Sequence, residues 1–212
     1  ALFEQAVADF TKAGAVVVDP ALTGLNLLKA LGSAAASRYE VAAAINKYLA
    51  GLPPTAPVRS VDEMIAKAGD VQIKPGIIAA NQAGPLDRNP QFAAALKQQD
   101  IIRNAVIELM DKYQLDAVIL PFRTAIDDDV GLPADRFPAD VTNSLSSFTG
   151  LPTIIVPGGF FPSDGMPFGL QFLGRPFTEP TLIKLASGYE ASTHHRTPPT
   201  LTPPLAGEKF AY

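Results

Sequence analysis

A run of polar side chains between residues 140 and 148 contains groups that could bind a polar substrate. It includes Asp140, Asn143, Ser144 and Ser147, and it leads into the sequence Thr-Gly-Leu-Pro at 149–152. A carboxylate could accept hydrogen bonds from an amide NH₂ group, and the other three side chains could face the same pocket. The competing interpretation is structural: the segment is predicted to be helical, and Asp is strongly preferred as an N-cap. The N-cap role of Asp140 is favoured.

The other groups that could do chemistry give no nucleophile and no metal site. No serine lies in S-x-x-K or G-x-S-x-G spacing, and no Gly-Gly-Ser-Ser run occurs. The three aspartates at 127–129 lack the spacing and the later Glu of a calcium loop, which favours a solvated acidic turn. The pair His194-His195 is adjacent rather than on one helical face, which favours a surface position near a helix end.

Two apolar strands are predicted directly after the polar run. Residues 153–156 form a β-branched run between two prolines, which predicts a short strand buried on both faces and limited by proline at both ends. Residues 168–174 alternate with a period of two, and Asp164-Gly165 supplies the turn between the strands. The glycines at 158–159 are expected to give backbone freedom at a strand exit, and Arg175 to donate hydrogen bonds to carbonyls.

This stretch resembles the C-terminal part of the amidase signature family. The resemblance lies in the string T-G-L-P-x-I-x-V-P-x-G, followed by G-x-P-x-G-L-Q-x-x-G-R-P-F, Glu179 and a helix ending in Tyr189-Glu190. It continues more weakly upstream, through 48–50 with 56–60 and through 116–121, and so covers nearly the whole chain. The resemblance implies an α/β fold, a mixed sheet covered by helices, of which this chain is the C-terminal portion.

The resemblance also implies hydrolysis of a carboxamide, without a metal or organic cofactor. Family members use a nucleophilic serine, a second serine in a cis peptide and a lysine, in or near a Gly/Ser-rich region that this chain lacks. No catalytic residue is therefore assigned, and this chain alone is expected to be inactive. In amidotransferase subunits of the family a carboxylate at the spacing of Asp140 lies near the substrate amide. Family members often carry Asn at the position of Ser147, which is a departure in this sequence.

Two alternatives from other classes stay open. One is a subunit of an amidotransferase that releases ammonia for a partner, which Asp140 favours. The other is a non-catalytic fragment that acts by binding or assembly, which the missing nucleophile favours. The expected partners are a small-molecule amide, the N-terminal half of the same protein and a second copy in a homodimer.

The remaining elements are predicted from periodicity, caps and breakers. Ser33 is the expected N-cap of one helix, and Ser60 with Glu63 has the spacing of a capping box that opens another. The predicted helices are 1–13, 33–49, 61–67, 90–113, 140–148 and 179–192; further strands are 15–18 and 116–120; loops are 69–90 and 122–138; and a proline-rich tail is 197–212.

Composition limits the partners. The net charge is −4, with no basic patch, which argues against nucleic acid. There is no Cys, and no apolar run approaches the ~20 residues needed to span a bilayer. The start at Ala1 shows no signal peptide and looks internal or processed, and a cytoplasmic protein is expected. As the C-terminal part of a domain, residues 1–212 should expose apolar surface and an unpaired strand edge.

Overall fold

The computed structural model describes residues 1–123, 143–163, 165–197 and Gly207. Within these residues the chain forms α-helices, one short 3₁₀ turn at Leu86–Arg88 and three β-strands, which confirms the predicted α/β class. The helices are α1 (Leu2–Lys12), α2 (Leu27–Ser33), α3 (Ser37–Ala50), α4 (Val61–Lys67), α5 (Pro75–Gln82), α6 (Pro90–Lys112), α7 (Ser144–Thr149) and α8 (Glu179–Thr193). The strands are β1 (Val118–Pro121), β2 (Thr153–Phe160) and β3 (Pro167–Leu173).

The chain divides into two compact units. The sheet unit comprises Ala1–Leu28 and the described part of Arg103–Tyr212, and the helical unit comprises Lys29–Ile102. The boundaries fall inside α2 and α6, so continuous helices carry the chain from one unit to the other. That residues 1–212 belong to one amidase domain stays a prediction.

The sheet unit is built on three strands in the order β1-β3-β2, and both pairings are antiparallel. β3 is central, since Phe172 is opposite Ile119 on one side and Ile154 on the other. The period of two predicted for β3 does not appear in its burial, because Gln171 and Leu173 are buried on one face and Leu170 and Phe172 on the other. Leu170 and Phe172 point into an apolar core. Its other buried members come mainly from α1 and α8, and they are Ala6, Val156, Leu182, Ala186 and Tyr189.

The strand expected at residues 153–156 is longer and less buried than predicted. β2 continues through Pro157 to Phe160, so proline does not limit both ends. Ile155 is 43% exposed, so the prediction of burial on both faces is also wrong. The reason is position: among the described strands β2 pairs only with β3, and an edge strand can hold a proline because no ladder donor is needed on its open side.

Gly158 and Gly159 supply the backbone freedom that the sequence predicts, but they lie inside β2, at a shift in its register, and not at its exit. A Cβ atom at Gly158 would lie 2.8 Å from the ring of Phe168, which is closer than a side chain tolerates. Gly159 has a φ of 120°, a conformation that residues with a side chain rarely adopt. These two residues allow β2 to pack tightly against β3 and to bend at its end.

The strand predicted at Ala15–Val18 is not formed. α1 ends as expected before Gly14, whose φ is 89°, and the N–H of Ala15 donates to the carbonyl of Phe10 at 3.0 Å. Residues 15–18 have the β-branched composition that favours a strand, but they pair with no described strand, and Val16 is 92% exposed. The prediction is wrong because β-branched residues favour a strand only where a neighbour completes the ladder.

In the helical unit, the helix predicted from Ser33 to Leu49 is two helices. Ser33 ends α2, and its hydroxyl donates to the carbonyl of Ala30 at 2.9 Å. Its predicted N-cap role is therefore wrong, because the hydroxyl is already bonded to the preceding turn. α3 begins after Ala36, and it ends at the predicted stop before Gly51.

The loop predicted at residues 69–90 contains α5 and the 3₁₀ turn, so that prediction is wrong in its central part. Pro75 occupies the first turn of α5, a position that needs no N–H donor. Ala80 is buried with Ala42 and Val61, and Ile77 packs against the same cluster. Packing against α3 and α4 thus stabilises a helix that its own Gly, Asn and Gln residues do not favour.

Two predicted helix starts are confirmed. The hydroxyl of Ser60 accepts a hydrogen bond from the N–H of Glu63 at 3.1 Å, and the Glu63 carboxylate accepts one from the N–H of Arg59 at 2.9 Å. Before α6, the side-chain oxygen of Asn89 accepts from two N–H groups of the first turn, at 3.0 and 3.1 Å. These bonds satisfy donors that an uncapped helix leaves open.

The apolar pattern of the long helix predicts core positions at Leu96, Val106, Leu109, Met110 and Tyr113. Tyr113 is half-buried just after the end of α6. Val106, Leu109 and Met110 are buried, whereas Leu96 is 40% exposed. The buried stripe of α6 begins at Ala95, one residue earlier, which turns Leu96 away from it.

Parts of several predictions lie outside the described residues. They are the acidic residues at 127–129, nearly all of the predicted loop 122–138, Asp164 of the turn before β3 and nearly all of the predicted tail.

Candidate substrate-binding site

α7 brings together three of the four residues predicted to bind substrate. Asn143 directly precedes the helix, Ser144 begins it, and Ser147 follows one turn later. Because residues three and four apart are neighbours on a helix surface, these side chains share one face. Asn143 and Ser144 are half-buried and Ser147 is exposed, so this face is open to a ligand.

The hydrogen bonds on this face are local. The hydroxyl of Ser144 donates to Oδ1 of Asn143 at 3.2 Å, and the hydroxyl of Ser147 donates to the carbonyl of Ser144 at 3.1 Å. Neutral, partly exposed hydrogen bonds of this kind contribute only about 1 kcal/mol each. A polar substrate group could therefore replace either bond at small cost.

Asp140, the fourth predicted residue, lies outside the described residues, so neither its N-cap role nor its substrate role is tested. The helix predicted at 140–148 is observed only as α7, at Ser144–Thr149. Asn143 occupies the N-cap position of α7 without a side-chain capping bond.

Residues that the sequence analysis missed hold the end of α7 in place. The buried hydroxyl of Thr149 donates to a carbonyl of its own helix at 2.6 Å, and the hydroxyl of Ser146 donates to the carbonyl of Leu151 at 2.8 Å. Gly150 ends the helix in the left-handed conformation, with a φ of 68°. Arg103 donates through Nε to the carbonyl of Thr149. The sequence signal for the end of this helix was the pair Thr149-Gly150, because glycine commonly follows a helix end.

The turn between α7 and β2 is also hydrogen-bonded to the sheet. The hydroxyl of Thr153, at the start of β2, donates to the carbonyl of Phe172 in β3 at 2.8 Å. α7 and β2 are therefore joined by a short turn whose two ends both have side-chain hydrogen bonds. A site on α7 has the rigid support that precise substrate positioning requires.

Gln171 places a further polar group in this part of the sheet unit. Its side chain is 1% exposed, and its Oε1 has no hydrogen-bond partner among the described residues. Because side chains alternate along a strand, Gln171 lies on the face of β3 opposite Phe172 and its apolar core. In the sequence, Gln171 stands out only as part of the strand pattern.

The serines of α7 do not form a Ser-Lys pair within the described contacts. Each hydroxyl of Ser144, Ser146 and Ser147 donates to a nearby backbone or amide oxygen, and no lysine amine is bonded to them. A serine hydroxyl needs an adjacent base to become a strong nucleophile. This face of α7 can therefore bind a polar group, but these contacts do not activate a nucleophile.

A second cluster of titratable groups lies between α1 and the end of α8. Nε2 of His195 is 3.5 Å from the carboxylate of Asp9, and both side chains are partly buried. The ring of Tyr189 packs beside His195 and Phe10. Burial of the phenol, with a smaller contribution from the charge of Asp9, raises the pKa of Tyr189 to about 12. Tyr189 therefore stays protonated near neutral pH, and it offers a neutral hydroxyl rather than a base.

Arg175 and the histidine pair have structural positions. Arg175 donates to the carbonyl of Leu115 at 2.7 Å, as predicted, and also forms an ion pair with Asp111 at 2.9 Å. His194 ends α8 in the left-handed conformation, with a φ of 51°. In the part of the chain that the structure describes, no group of three His, Cys, Asp or Glu side chains could hold a metal ion. None of the helices in those same ranges combines the length and apolar character that crossing a bilayer requires.

Comparison of amino-acid sequences relates the chain to amidotransferases. It is 36% identical over 115 residues to a subunit of the glutamyl-tRNA(Gln) amidotransferase of Moorella thermoacetica, a match that covers 52% of this chain and 23% of that protein. The corresponding protein of Desulforudis audaxviator is 32% identical over 117 residues, covering 53% of this chain and 23% of the relative. The matched region thus spans about a quarter of the length of these relatives.

Comparison of structures relates the chain to amidases. The peptide amidase of Stenotrophomonas maltophilia superposes with a TM-score of 0.72 and 27% identity, covering 93% of this chain and 40% of that enzyme. An amidase family protein of Bacillus anthracis superposes with a TM-score of 0.66 and 23% identity, covering 94% and 36%, which is a likeness of fold alone. The family model named Amidase matches residues 1–183. The chain belongs to the amidase signature family.

Proposed function

We propose that this chain is the C-terminal part of a longer amidase that hydrolyses the C–N bond of a carboxamide. The observation that carries the proposal is the difference in coverage: 93% of this chain, but only 40% of the peptide amidase, takes part in the superposition. An upstream part of the protein would then supply the remaining fold. The expected absence of a metal or organic cofactor and the cytoplasmic location stay predictions.

In this proposal the upstream part supplies the nucleophilic serine, the bridging serine and the lysine. The unprotonated lysine takes a proton, through the bridging serine, from the hydroxyl that attacks the amide carbonyl carbon. The C–N bond breaks, the amine leaves with a proton, and water then hydrolyses the acyl-serine ester. Backbone N–H groups stabilise the negative charge on the carbonyl oxygen. On its own, the 212-residue chain is expected to be inactive.

This chain contributes one wall of the substrate pocket. Asp140, Asn143, Ser144 and Ser147 are the proposed substrate-binding residues, and the helix face formed by the last three supports this role. A carboxylate at Asp140 would accept a hydrogen bond from the amide NH₂, and the Asn and Ser groups can both donate and accept.

The second candidate is one component of an amidotransferase. It is favoured by the identity of 36% to the Moorella thermoacetica protein, and such a component would release ammonia to its partner. The two candidates share the amide-cleaving step and differ in the fate of the ammonia. A third possibility, a fragment that only binds or assembles, predicts no cleavage in any form of the protein.

The test measures ammonia or amine release from a panel of simple amides. The 212-residue chain is compared with the same chain joined to its upstream sequence. Hydrolysis by the longer protein alone supports the amidase proposal, whereas activity of the short chain would show that the nucleophile had been assigned to the wrong part. Activity that appears only when a partner protein consumes the ammonia favours the amidotransferase, and no cleavage by either form contradicts both.

The role of Asp140 is tested in the longer protein with Asp140→Asn and Asp140→Ala. Asn is as good an N-cap as Asp, so Asp140→Asn keeps the structural role and removes the charge. If Asp140 binds substrate, we expect Asp140→Asn to raise KM by about tenfold, equivalent to the loss of about 1.4 kcal/mol, without lowering Tm. A normal KM for Asp140→Asn, with a lowered Tm only for Asp140→Ala, would show that Asp140 acts as an N-cap and does not bind substrate.

A further inference from the structure

The last carbonyl of α7 has its hydrogen-bond partner on a distant element. A helix leaves its final carbonyls without partners of its own, so they need donors from elsewhere. The carbonyl of Ser146 accepts from the N–H of Gly150 at 2.8 Å, within the same connection. The carbonyl of Thr149 accepts instead from Nε of Arg103, which lies 46 residues earlier, in α6. Thr149 is fully buried, and Arg103 is the one donor to its carbonyl among the described residues.

The guanidinium of Arg103 is well suited to hold this helix end. It is planar and always charged, and its donors have a fixed geometry. A Cβ atom at Gly150 would lie 3.8 Å from Nη2 of Arg103, so the guanidinium lies beside the turn as well as the carbonyl. A positive charge at the C-terminal end of a helix is favoured by the partial negative charge of the carbonyls there. Arg103 therefore fixes both the position and the direction of the end of α7.

Arg103 projects from a part of α6 that is itself held in place. Val106 and Met110, in the turns that follow it, are buried. Further along, Oδ1 of Asp111 accepts two hydrogen bonds from the guanidinium of Arg175, which follows β3, at 2.9 and 3.1 Å. Apolar burial and this second arginine give the Arg103 side chain a rigid base.

In the described part of the chain, the N-terminal end of α7 has less support than its C-terminal end. Asn143 is the N-cap residue and makes no side-chain capping bond. α7 has only six residues, which is about 9 Å at 1.5 Å per residue, and a helix this short needs tertiary contacts to form. A shift at Thr149 therefore moves the whole helix, including the face formed by Asn143, Ser144 and Ser147.

We propose that Arg103 is a positioning residue for the amide substrate. It acts through α7 and does not touch the substrate. By fixing the end of α7, it sets where the polar groups of Asn143, Ser144 and Ser147 meet the amide. The inference rests on the proposed function, since it takes those three residues as substrate-binding groups.

The other side-chain bonds near this helix end do not set its position. The hydroxyl of Ser146 donates to Leu151 and that of Thr149 donates to its own helix, so both bonds close the turn without attaching it to another element. The hydroxyl of Thr153 joins β2 to β3, which already share a backbone ladder. Within the described contacts, Arg103 is the side chain that ties α7 to a separate helix.

The test measures amide hydrolysis by the full protein, which is the 212-residue chain joined to its upstream sequence. Arg103→Ala should raise KM about tenfold and change kcat by less than about twofold, because misplaced binding groups weaken the binding of substrate and transition state alike. A loss of folded protein alone would lower kcat and leave KM unchanged. Arg59→Ala is the matched control, because Arg59 donates to the carbonyl of Ala50, the last residue of α3, at 2.7 Å. Its KM should equal that of the parent protein.

A conservative variant and chemical rescue keep the test decisive if Arg103→Ala folds poorly. Arg103→Lys keeps the charge at the helix end, but an ammonium on a flexible stem cannot hold the carbonyl in the same geometry, so KM should rise about threefold. Guanidinium at millimolar concentration, far below the molar range that unfolds proteins, should lower the KM of Arg103→Ala toward the parent value.

Hydrogen exchange in the same full proteins gives a readout that does not depend on hydrolysis. Peptides that cover residues 144–151 are followed by mass spectrometry. In Arg103→Ala their amides should exchange about tenfold faster than in the parent protein, because the end of α7 opens more often. In Arg59→Ala the same amides should exchange at the parent rate.

A parent-like KM in both Arg103 variants would overturn the inference and leave the proposed function in place. An equal rise in KM for Arg103→Ala and Arg59→Ala would do the same, because the effect would then be a general loosening of the fold. If the parent full protein hydrolyses no amide, the proposed function fails and hydrogen exchange decides the inference. Unchanged exchange of residues 144–151 in Arg103→Ala overturns it, whereas faster exchange confined to that variant supports the hold of Arg103 on α7.

Discussion

Two β-branched runs in the sheet unit have nearly the same local sequence character and opposite structures. Residues 153–156 are Thr-Ile-Ile-Val and form part of β2, whereas residues 15–18 are Ala-Val-Val-Val and pair with no described strand. Val156 is 4% exposed and Val16 is 92% exposed. The difference is the neighbour: β3 completes the ladder of the first run. Strand propensity becomes a strand only where pairing and burial are supplied from elsewhere.

The largest loss of stability is expected at Phe172, which lies in β3 opposite Ile154 of the paired run. Phe172 is 1% exposed and contacts Phe10 and Tyr189 with ring centroids 5.5 and 6.2 Å apart. Phe172→Ala should lower the free energy of unfolding by about 4 kcal/mol, from lost burial and the cavity left behind. Urea unfolding followed by circular dichroism measures it. A loss below about 1 kcal/mol would mean that this core is not close-packed.

The second prediction concerns the pH dependence of stability, which involves Tyr189 in the same core. Since burial raises the pKa of Tyr189 to about 12, the folded state holds its phenol proton more tightly than the unfolded state, in which the pKa is near 10. The stabilisation from this group is complete below pH 10 and is lost as the pH rises toward 12. The expected loss is on the order of 2 kcal/mol, because each unit of pKa shift corresponds to about 1.4 kcal/mol.

Tyr189→Phe is the control for this alkaline loss. It removes a hydroxyl that is buried without a hydrogen-bond partner among the described residues, so stability at pH 7 should hardly fall. Between pH 10 and 12 the variant should lose less stability than the parent protein. Parallel curves for the two proteins would show that Tyr189 does not titrate differently on unfolding.

The third prediction tests the two runs directly with one substitution. Val156→Ala should lower the free energy of unfolding by roughly 2 kcal/mol, because it removes buried methyl groups from a packed core. Val16→Ala should change it by less than about 0.5 kcal/mol, because exposed positions contribute little. Both are measured by thermal and urea unfolding of the 212-residue chain. Equal losses would mean that residues 15–18 are packed in solution, and the comparison would fail.

The sequence predicted the elements whose signals are local. Glycine and proline breakers and the capping-box serine at position 60 marked helix boundaries that the structure contains. The period of two in β3 predicted the strand, but not that both of its faces are buried. These features depend on neighbours a few residues away, which a single sequence displays.

The rest depended on distant parts of the chain. α5 is stabilised by burial of Ala80 with Ala42 and Val61, which lie far from it in sequence. At the candidate site, a polar run predicted a helix with shared polar positions, but not the Ser146 and Thr149 hydrogen bonds that fix its end. Arg103, which is distant in sequence, also donates to the carbonyl of Thr149 at that helix end.

The smallest change in stability is expected for two serines that were predicted to have the same role. Both Ser60 and Ser33 were predicted N-caps, but only Ser60 accepts a bond from a free N–H of its helix. Ser60→Ala should therefore lower the free energy of unfolding by about 1 kcal/mol. Ser33→Ala should cost less than about 0.5 kcal/mol, because a hydroxyl bonded back to its own helix hardly stabilises it. Chemical unfolding of both variants measures the difference. If Ser33→Ala cost as much as Ser60→Ala, the hydroxyl of Ser33 would be capping a helix in solution, and residues 33–49 would have to be one helix after all.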